Sequence, residues 1–419
     1  MVATLGISFL VCLAPGRALA QAEQADSVNN CVACHGVLGD ERLSAPVQAF
    51  DEDIHSIRGL TCIACHGGDE TAPGMIGMDA SVGFLGKPSR RDVPEFCGRC
   101  HSSATFMRQY NPSLRVDQVT EYQTSVHGRR LMELGDTAVA TCLSCHPAHS
   151  IKPPSDPLSS VHPLNVSATC GECHANAGYM EAYSIPTDQR DRYEQSVHWD
   201  ALSVQGDLSA PTCNDCHGNH GAAPPGLSWI GNVCGQCHSV MADLFALSRH
   251  AQTFTMLGMP GCATCHQNHE IMPAHDGLLG LDDGAVCVRC HVASDAGGQT
   301  AGAMRSLIDS LRGQYDSVHA IVLRAENAGM EVSQALFELN GANDGLVSAR
   351  AAVHSFDLVR VREAVEEGLS VTADVRAIGD QALHDLQMRR LWLAVLVTII
   401  IGLIVGLLHK IRNMEKAAE

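Results

Sequence analysis

A mostly α-helical and irregular chain with little strand, ending in a helical stalk and one C-terminal transmembrane helix, is the fold class this sequence predicts. Three observations carry it. The pentapeptide Cys-x-x-Cys-His recurs nine times between Cys31 and His291 and uses eighteen of the nineteen cysteines. From Gln21 to Asp295 Gly, Pro and Cys are dense and no sustained helical or strand period appears, which predicts loops and short helices. From Ala301 to Met388 long helical stretches take over, and Leu391 to Leu408 is an uncharged apolar run.

The nine copies are Cys31, Cys34 and His35; Cys62, Cys65 and His66; Cys97, Cys100 and His101; Cys142, Cys145 and His146; Cys170, Cys173 and His174; Cys213, Cys216 and His217; Cys234, Cys237 and His238; Cys262, Cys265 and His266; and Cys287, Cys290 and His291. Two cysteines followed at once by His form the attachment signature of a c-type haem, because the thiols bond to the haem vinyls and the adjacent imidazole falls onto the iron. Zinc sites and redox disulfides also use Cys-x-x-Cys, but neither requires a His after the second Cys in every copy. Nine covalently bound haem c groups are therefore expected, with a core built by macrocycles in a chain that is only 4% aromatic. The remaining thiol, Cys12, lies in the leader.

Leu5 to Leu13 is apolar and Ala18-Leu19-Ala20 is a small-residue cleavage pattern, so residues 1–20 read as a signal peptide, although the usual positive charge at the start is missing. A haem domain over 21–295, a helical hairpin or stalk over 296–390, a transmembrane helix over 391–408 and a tail over 409–419 follow. Arg389 and Arg390 bracket one side of the span and Lys410, Arg412 and Lys416 the other, which leaves orientation open on charge alone. Haem attachment outside the bacterial cytoplasm decides it: residues 21–390 are expected in the periplasm and the tail in the cytoplasm, as a single-pass protein of the cell inner membrane. The net charge of −18 argues against nucleic-acid binding and favours steering of basic partners such as small soluble cytochromes.

An internal repeat organises the motifs. Ser125-Val126-His127, Ser196-Val197-His198 and Ser248-Arg249-His250 each precede a motif, with Tyr122, Tyr193 and Phe245 five residues before the His. After the motif comes a second His, at His149, His220 and His269, and another motif closes the copy. A degenerate first copy starts at His55 and has Asp69 where the second His would stand. A His three residues after a proximal His cannot reach round its own haem, so His149, His220 and His269 are expected to ligate neighbouring haems. His55, His127, His198 and His250 are the next candidates for distal ligands, and His162, in Ser-Val-His-Pro, completes eight. For the ninth haem His275, His319, His354 and Met330 come into consideration; a methionine ligand would raise that haem's potential.

In the C-terminal region Met304, Ile308, Leu311, Tyr315, Val318 and Val322 form one helical face. A second helix is expected from Glu331 to about His354, interrupted near Asn343-Asp344-Gly345, and a third from Asp357, a good N-cap, towards the membrane.

The Cys-x-x-Cys-His-x-x-His motifs interleaved with Ser-Val-His segments resemble membrane-anchored multihaem cytochromes c of the cytochrome c3-like, doubled-CxxCH group. Residues Ala328-Gly329-Met330-Glu331-Val332, Val353-His354-Ser355-Phe356-Asp357 and Arg389-Arg390 are similar to the stalk of membrane-tethered members. The resemblance covers about residues 25 to 412 and implies low-spin haems with two His ligands. It also implies that Met330 and His354 are well placed to contact a haem.

The expected function is an electron relay between membrane quinone-linked oxidoreductase subunits and soluble periplasmic cytochromes or reductases, in respiration, with no catalytic residue of its own. The span holds no acidic residue or His to take quinol protons, so a separate membrane subunit is expected to oxidise the quinol. The competing reading is a reductase or oxidase of a small nitrogen or sulfur oxyanion at one five-coordinate haem. The absence of a Cys-x-x-Cys-Lys motif counts against it.

Overall fold

The computed structural model describes residues 29–225 and 233–418, so the leader, its cleavage pattern and Cys12 lie outside the described residues. Among the described residues there is no strand.

The motifs wind into single turns of helix, among them Cys62–His66, Cys142–Cys145, Cys213–His217 and Gly261–His266. So short a helix is held by its ends. Thr141 and Thr212 form reciprocal capping boxes with Ser144 and Asp215, satisfying amide groups that a one-turn helix leaves unpaired. In the repeat the Ser two before His198 and the one two before His250 are N-caps. Ser196 accepts from the Trp199 amide at the start of Val197–Ser203, and Ser248 from the Ala251 amide at the start of Arg249–Leu257. Ser-x-His therefore places the imidazole in the first turn of a short helix. The aromatic residue before it ties that helix to the next motif. The hydroxyl of Tyr122 donates to the Ala140 carbonyl at 2.8 Å and that of Tyr193 to Pro211 at 3.1 Å, each two residues before a first cysteine. Phe245 instead packs on Gly261, where a Cβ would come within 3.1 Å of its ring.

The chain divides into two compact units, one of residues up to Gln123 with His127–His162, the other of Thr124–Val126 with Pro163 onward. The first holds four motifs. The second holds five motifs together with the C-terminal helices, so the contacts do not divide the chain at residue 295 as the change of sequence texture would.

Three helices make the stalk: α1 (Ala296–Asn327), α2 (Ser333–Ala352) and α3 (Leu358–Ala418). Met304, Ile308, Leu311, Val318 and Val322 of the expected face are all buried in α1. They pack with Leu339, Leu346, Val361, Val365 and Val375. The expected interruption at Asn343-Asp344-Gly345 is absent and α2 runs through it. Glycine there costs about 1 kcal/mol of helix propensity, but it lets two backbones touch: a Cβ on Gly345 would lie 2.9 Å from the Cα of Gly368 in α3.

Asp276, between the last two motifs, locks the haem-binding segment onto the stalk. Its side chain is 5% exposed and accepts from Arg350 at 2.8 Å through both oxygens and from Arg312 at 3.2 Å, while Arg305 donates to its carbonyl at 2.7 Å.

Asp357 caps α3 by accepting from the Val359 amide at 2.9 Å. The third stalk helix and the apolar C-terminal segment are one continuous helix, long and apolar enough over Leu358–Met414 to cross a membrane. Its side chains from Leu391 to Leu408 are exposed, as suits contact with lipid.

Candidate haem-binding sites

Among the described residues, pairs of histidine rings face one another with centroids 6.0–6.4 Å apart, and each of these pairs holds one motif His. They are His55 with His101, His66 with His149, His198 with His238, His217 with His269, His250 with His291, and His266 with His354. Two iron–nitrogen bonds of about 2 Å and roughly 1.2 Å from each nitrogen to its ring centre give about 6.4 Å. The spacing is too wide for ring stacking and fits two imidazoles on opposite faces of one iron.

Hydrogen bonds at the other ring nitrogen agree. Nδ1 of His66 lies 3.0 Å from the Gly86 carbonyl, that of His217 3.2 Å from Ala223, and that of His354 3.0 Å from Ala351. Nδ1 of His55 and His291 lie 2.8 Å and 3.1 Å from the carboxylates of Asp53 and Asp295. A carbonyl or carboxylate only accepts, so each Nδ1 carries the proton and Nε2 is left bare to bind metal. Burial lowers the pKa of His149, His174, His198, His250, His266 and His269, and a neighbouring His adds to it, which keeps these imidazoles neutral and able to ligate. The residues present thus fit haem c held by two thiols and two imidazoles.

The pairs follow a rule that spacing alone does not reveal. A leading His faces the second motif of its own copy: His55 with His101, His198 with His238, His250 with His291. A second His faces the first motif of the preceding copy: His149 with His66, His269 with His217. Both sit in the left-handed region, at φ 67° and 54°, where a side chain other than glycine is strained, and that turn swings each ring away from its own motif. For the last copy the stalk supplies the ring, as His354 in the turn Val353–Ser355 faces His266.

Met330, weighed for the ninth haem, is 8% exposed in the stalk core with Val318, Val322, Ala325 and Ala335. Its surroundings explain why. Gly329 at φ 81° ends α1; its amide bonds to the Glu326 carbonyl at 2.8 Å and the Met330 amide to Ala325 at 3.1 Å, a Schellman cap whose following apolar residue packs back on the helix. His319, also weighed for the ninth haem, lies against Tyr315, and His275 is exposed. Of the other expected ligands, His162 is buried, and His127 and His220 are half-buried.

Neighbouring motifs lie together in sequence order within each unit. The Cys31 thiol lies near that of Cys62, and Cys97 near Cys142, in the first unit. Cys170 lies near Cys213, and Cys234 near Cys262, in the second. Cys65 lies near Cys97 and Cys100, Cys216 near Cys237, and Cys265 near Cys287 and Cys290. No disulfide joins any of the described cysteines.

Sequence reasoning missed Asp53, Asp295 and Phe356. Asp53 shows a signal: it stands two residues before His55, where the other copies have Ser. Phe356, at φ 52°, places its ring 3.9 Å from that of His250.

Residues 207–292, which hold the motifs at Cys213, Cys234, Cys262 and Cys287, match the family model described as cytochrome c3. No curated protein and no solved structure matches the chain. With this segment similar to cytochrome c3, and with imidazoles set in pairs at the span of an iron, the chain is a multihaem electron-transfer cytochrome that binds haem c covalently.

Proposed function

We propose that the chain holds nine haem c groups and relays single electrons between quinone-linked oxidoreductase subunits in the inner membrane and soluble periplasmic cytochromes or reductases. The supporting observation is the set of facing imidazole pairs. Where the protein supplies both axial ligands, no position is left for a substrate, and what haem contributes is storage of one electron. The residues of each motif hold, orient and bring close: the first cysteines of neighbouring motifs lie near one another, which supports short steps between adjacent centres.

The apolar C-terminal helix supports anchoring in the inner membrane, with the haem-bearing part in the periplasm, where c-type haem is attached. The net charge of −18 supports docking of basic soluble partners. The span carries no acidic residue or His between Leu391 and Leu408, so quinol oxidation falls to another membrane subunit.

The test is the electron paramagnetic resonance spectrum of the oxidised, haem-loaded chain with and without nitrite. Low-spin iron throughout, unchanged by nitrite, is expected. Ring planes 11°, 16° and 20° apart in the pairs of His217, His66 and His266, but 86° and 80° apart in those of His101 and His291, predict two classes of low-spin signal. Perpendicular ligand planes leave the iron orbitals nearly degenerate and raise the largest g value. A high-spin iron that responds to nitrite overturns the relay and favours oxyanion reduction at that site.

A further inference from the structure

We propose that Asp53 is a positioning residue that lowers the reduction potential of the haem bound at Cys97 and Cys100, through the imidazole of His55. The inference rests on the reading of His55 and His101 as the two ligands of that iron. The residue two before each leading His is Ser at Ser125, Ser196 and Ser248 but Asp53 in the first copy, and Ser196, Ser248 and Asp53 are N-caps. The substitution changes what the cap can reach. Ser196 accepts from the Trp199 amide and Ser248 from that of Ala251. The Asp53 carboxylate accepts from the His55 amide at 2.8 Å and, through the same Oδ1, from His55 Nδ1 at 2.8 Å. Its Oδ2 accepts from the Ile151 amide at 2.7 Å, two residues past His149, so one carboxylate fixes the segments that carry two distal rings.

Asp53 is 1% exposed, so solvent screens its charge little. At the matching position of the last copy, Nδ1 of His250 is buried with no hydrogen-bond partner. The same structural role is thus filled by a ring with a buried charge behind it in the first copy and by a ring with none in the last. Ferric iron takes up one electron to become ferrous, with no bond made or broken. A negative charge donated through the ligand favours the more positive ferric state, so the electron is held less tightly.

The test uses the full, haem-loaded chain in detergent, with potentiometry followed by absorbance and paramagnetic resonance, dithionite supplying electrons through mediators. Asp53→Asn keeps the shape and removes the charge. One midpoint should rise by about 59 mV, a tenfold change in the one-electron equilibrium constant, with the low-spin signal retained. Asp53→Ser, the residue of the other copies, should act the same way and serves if the Asn variant loads haem poorly. Asp295→Asn, whose carboxylate is 38% exposed at His291, should shift its haem less. Unmoved midpoints in low-spin variants overturn the inference and leave the two-imidazole reading standing. A shift that comes with a high-spin signal also overturns it, since Asp53 would then hold the ring and not tune it. Loss of the reading itself has a separate mark, an unchanged spectrum in His55→Ala.

Discussion

Replacing Asp276 by Asn tests how the haem-binding segment is fastened to the stalk. The carboxylate is 5% exposed and takes two 2.8 Å bonds from Arg350 and one of 3.2 Å from Arg312. Breaking a buried ion pair from one side costs about 3–5 kcal/mol, whereas an exposed pair is worth about 0–1 kcal/mol. Arg350 and Arg312 remain 43% and 55% exposed, so water screens the charge and re-solvates the arginines when the partner is lost. The expected cost lies between, at about 1–3 kcal/mol, and Asn keeps one acceptor near Arg350. The assay is hydrogen exchange of amides in α1 and α2 facing Asp276, in the haem-loaded chain, where this loss reads as roughly 5- to 150-fold faster local opening. The hydrogen bonds from Arg350 hold the Asp276 carboxyl below its usual pKa against the opposing effect of burial. A depressed folded pKa gives stability that is complete above the unfolded value of about 3.9 and is lost as pH falls through the folded value. Protection in the unsubstituted chain should therefore decline below about pH 4, and part of that decline should vanish in Asp276→Asn. Equal exchange in the two chains, or an unchanged acid response, would refute the account of the clamp.

His354→Ala should turn one haem high-spin and open to nitrite, the one bound at Cys262 and Cys265, and leave the other low-spin signals in place; absorbance and paramagnetic resonance read this directly. His149→Ala and His269→Ala should each affect a haem whose cysteines lie in an earlier copy, at Cys62 and at Cys213. Haem-specific ligand assignment checks this, and a change at Cys142 or Cys262 instead would contradict the pairing. Gly345→Val should separate α2 from α3, since a Cβ there already meets Gly368 at 2.9 Å. Overpacking of this kind costs about 1–3 kcal/mol, seen as faster exchange in both helices.

The haem-attachment residues were legible because covalent chemistry demands contiguous residues: two thiols and an imidazole within five positions. The leading histidines were legible as well, because an N-cap Ser two residues ahead and an aromatic residue five ahead are local. Distal partners were less so. That His149 cannot serve its own motif follows from chain geometry, but that it faces His66, two motifs upstream, depends on a left-handed turn the sequence does not announce. At Met330 a local signal and a resemblance point apart. Its neighbour Gly329 carried a plain local signal for a helix end, and an apolar residue after such a glycine has packing work to do. A likeness of the segment to other stalks outweighed that signal. The uninterrupted α2 has the same origin, for Gly345 was weighed by its intrinsic propensity and not by the close crossing it permits.

The pairing rule also explains why the stalk and the last haem copies form one unit. If each first motif of a copy takes its second imidazole from the copy that follows, the last copy must be left one ligand short unless something other than a haem copy provides it. His354 does so from the turn between α2 and α3, with its Nδ1 tied to Ala351 at 3.0 Å. Phe356, in the same turn, packs against His250, the ring that faces the final motif, and Asp276 holds the segment between those motifs to α1 and α2. Three contacts thus fix the end of the array to the element that continues, after Asp357, as the long apolar helix α3. Removing the stalk would leave a haem with one protein ligand and a buried Asp276 without its arginines. The array is closed at this end by the stalk helices themselves, and a haem-binding fragment that stops at Asp295 is chemically incomplete.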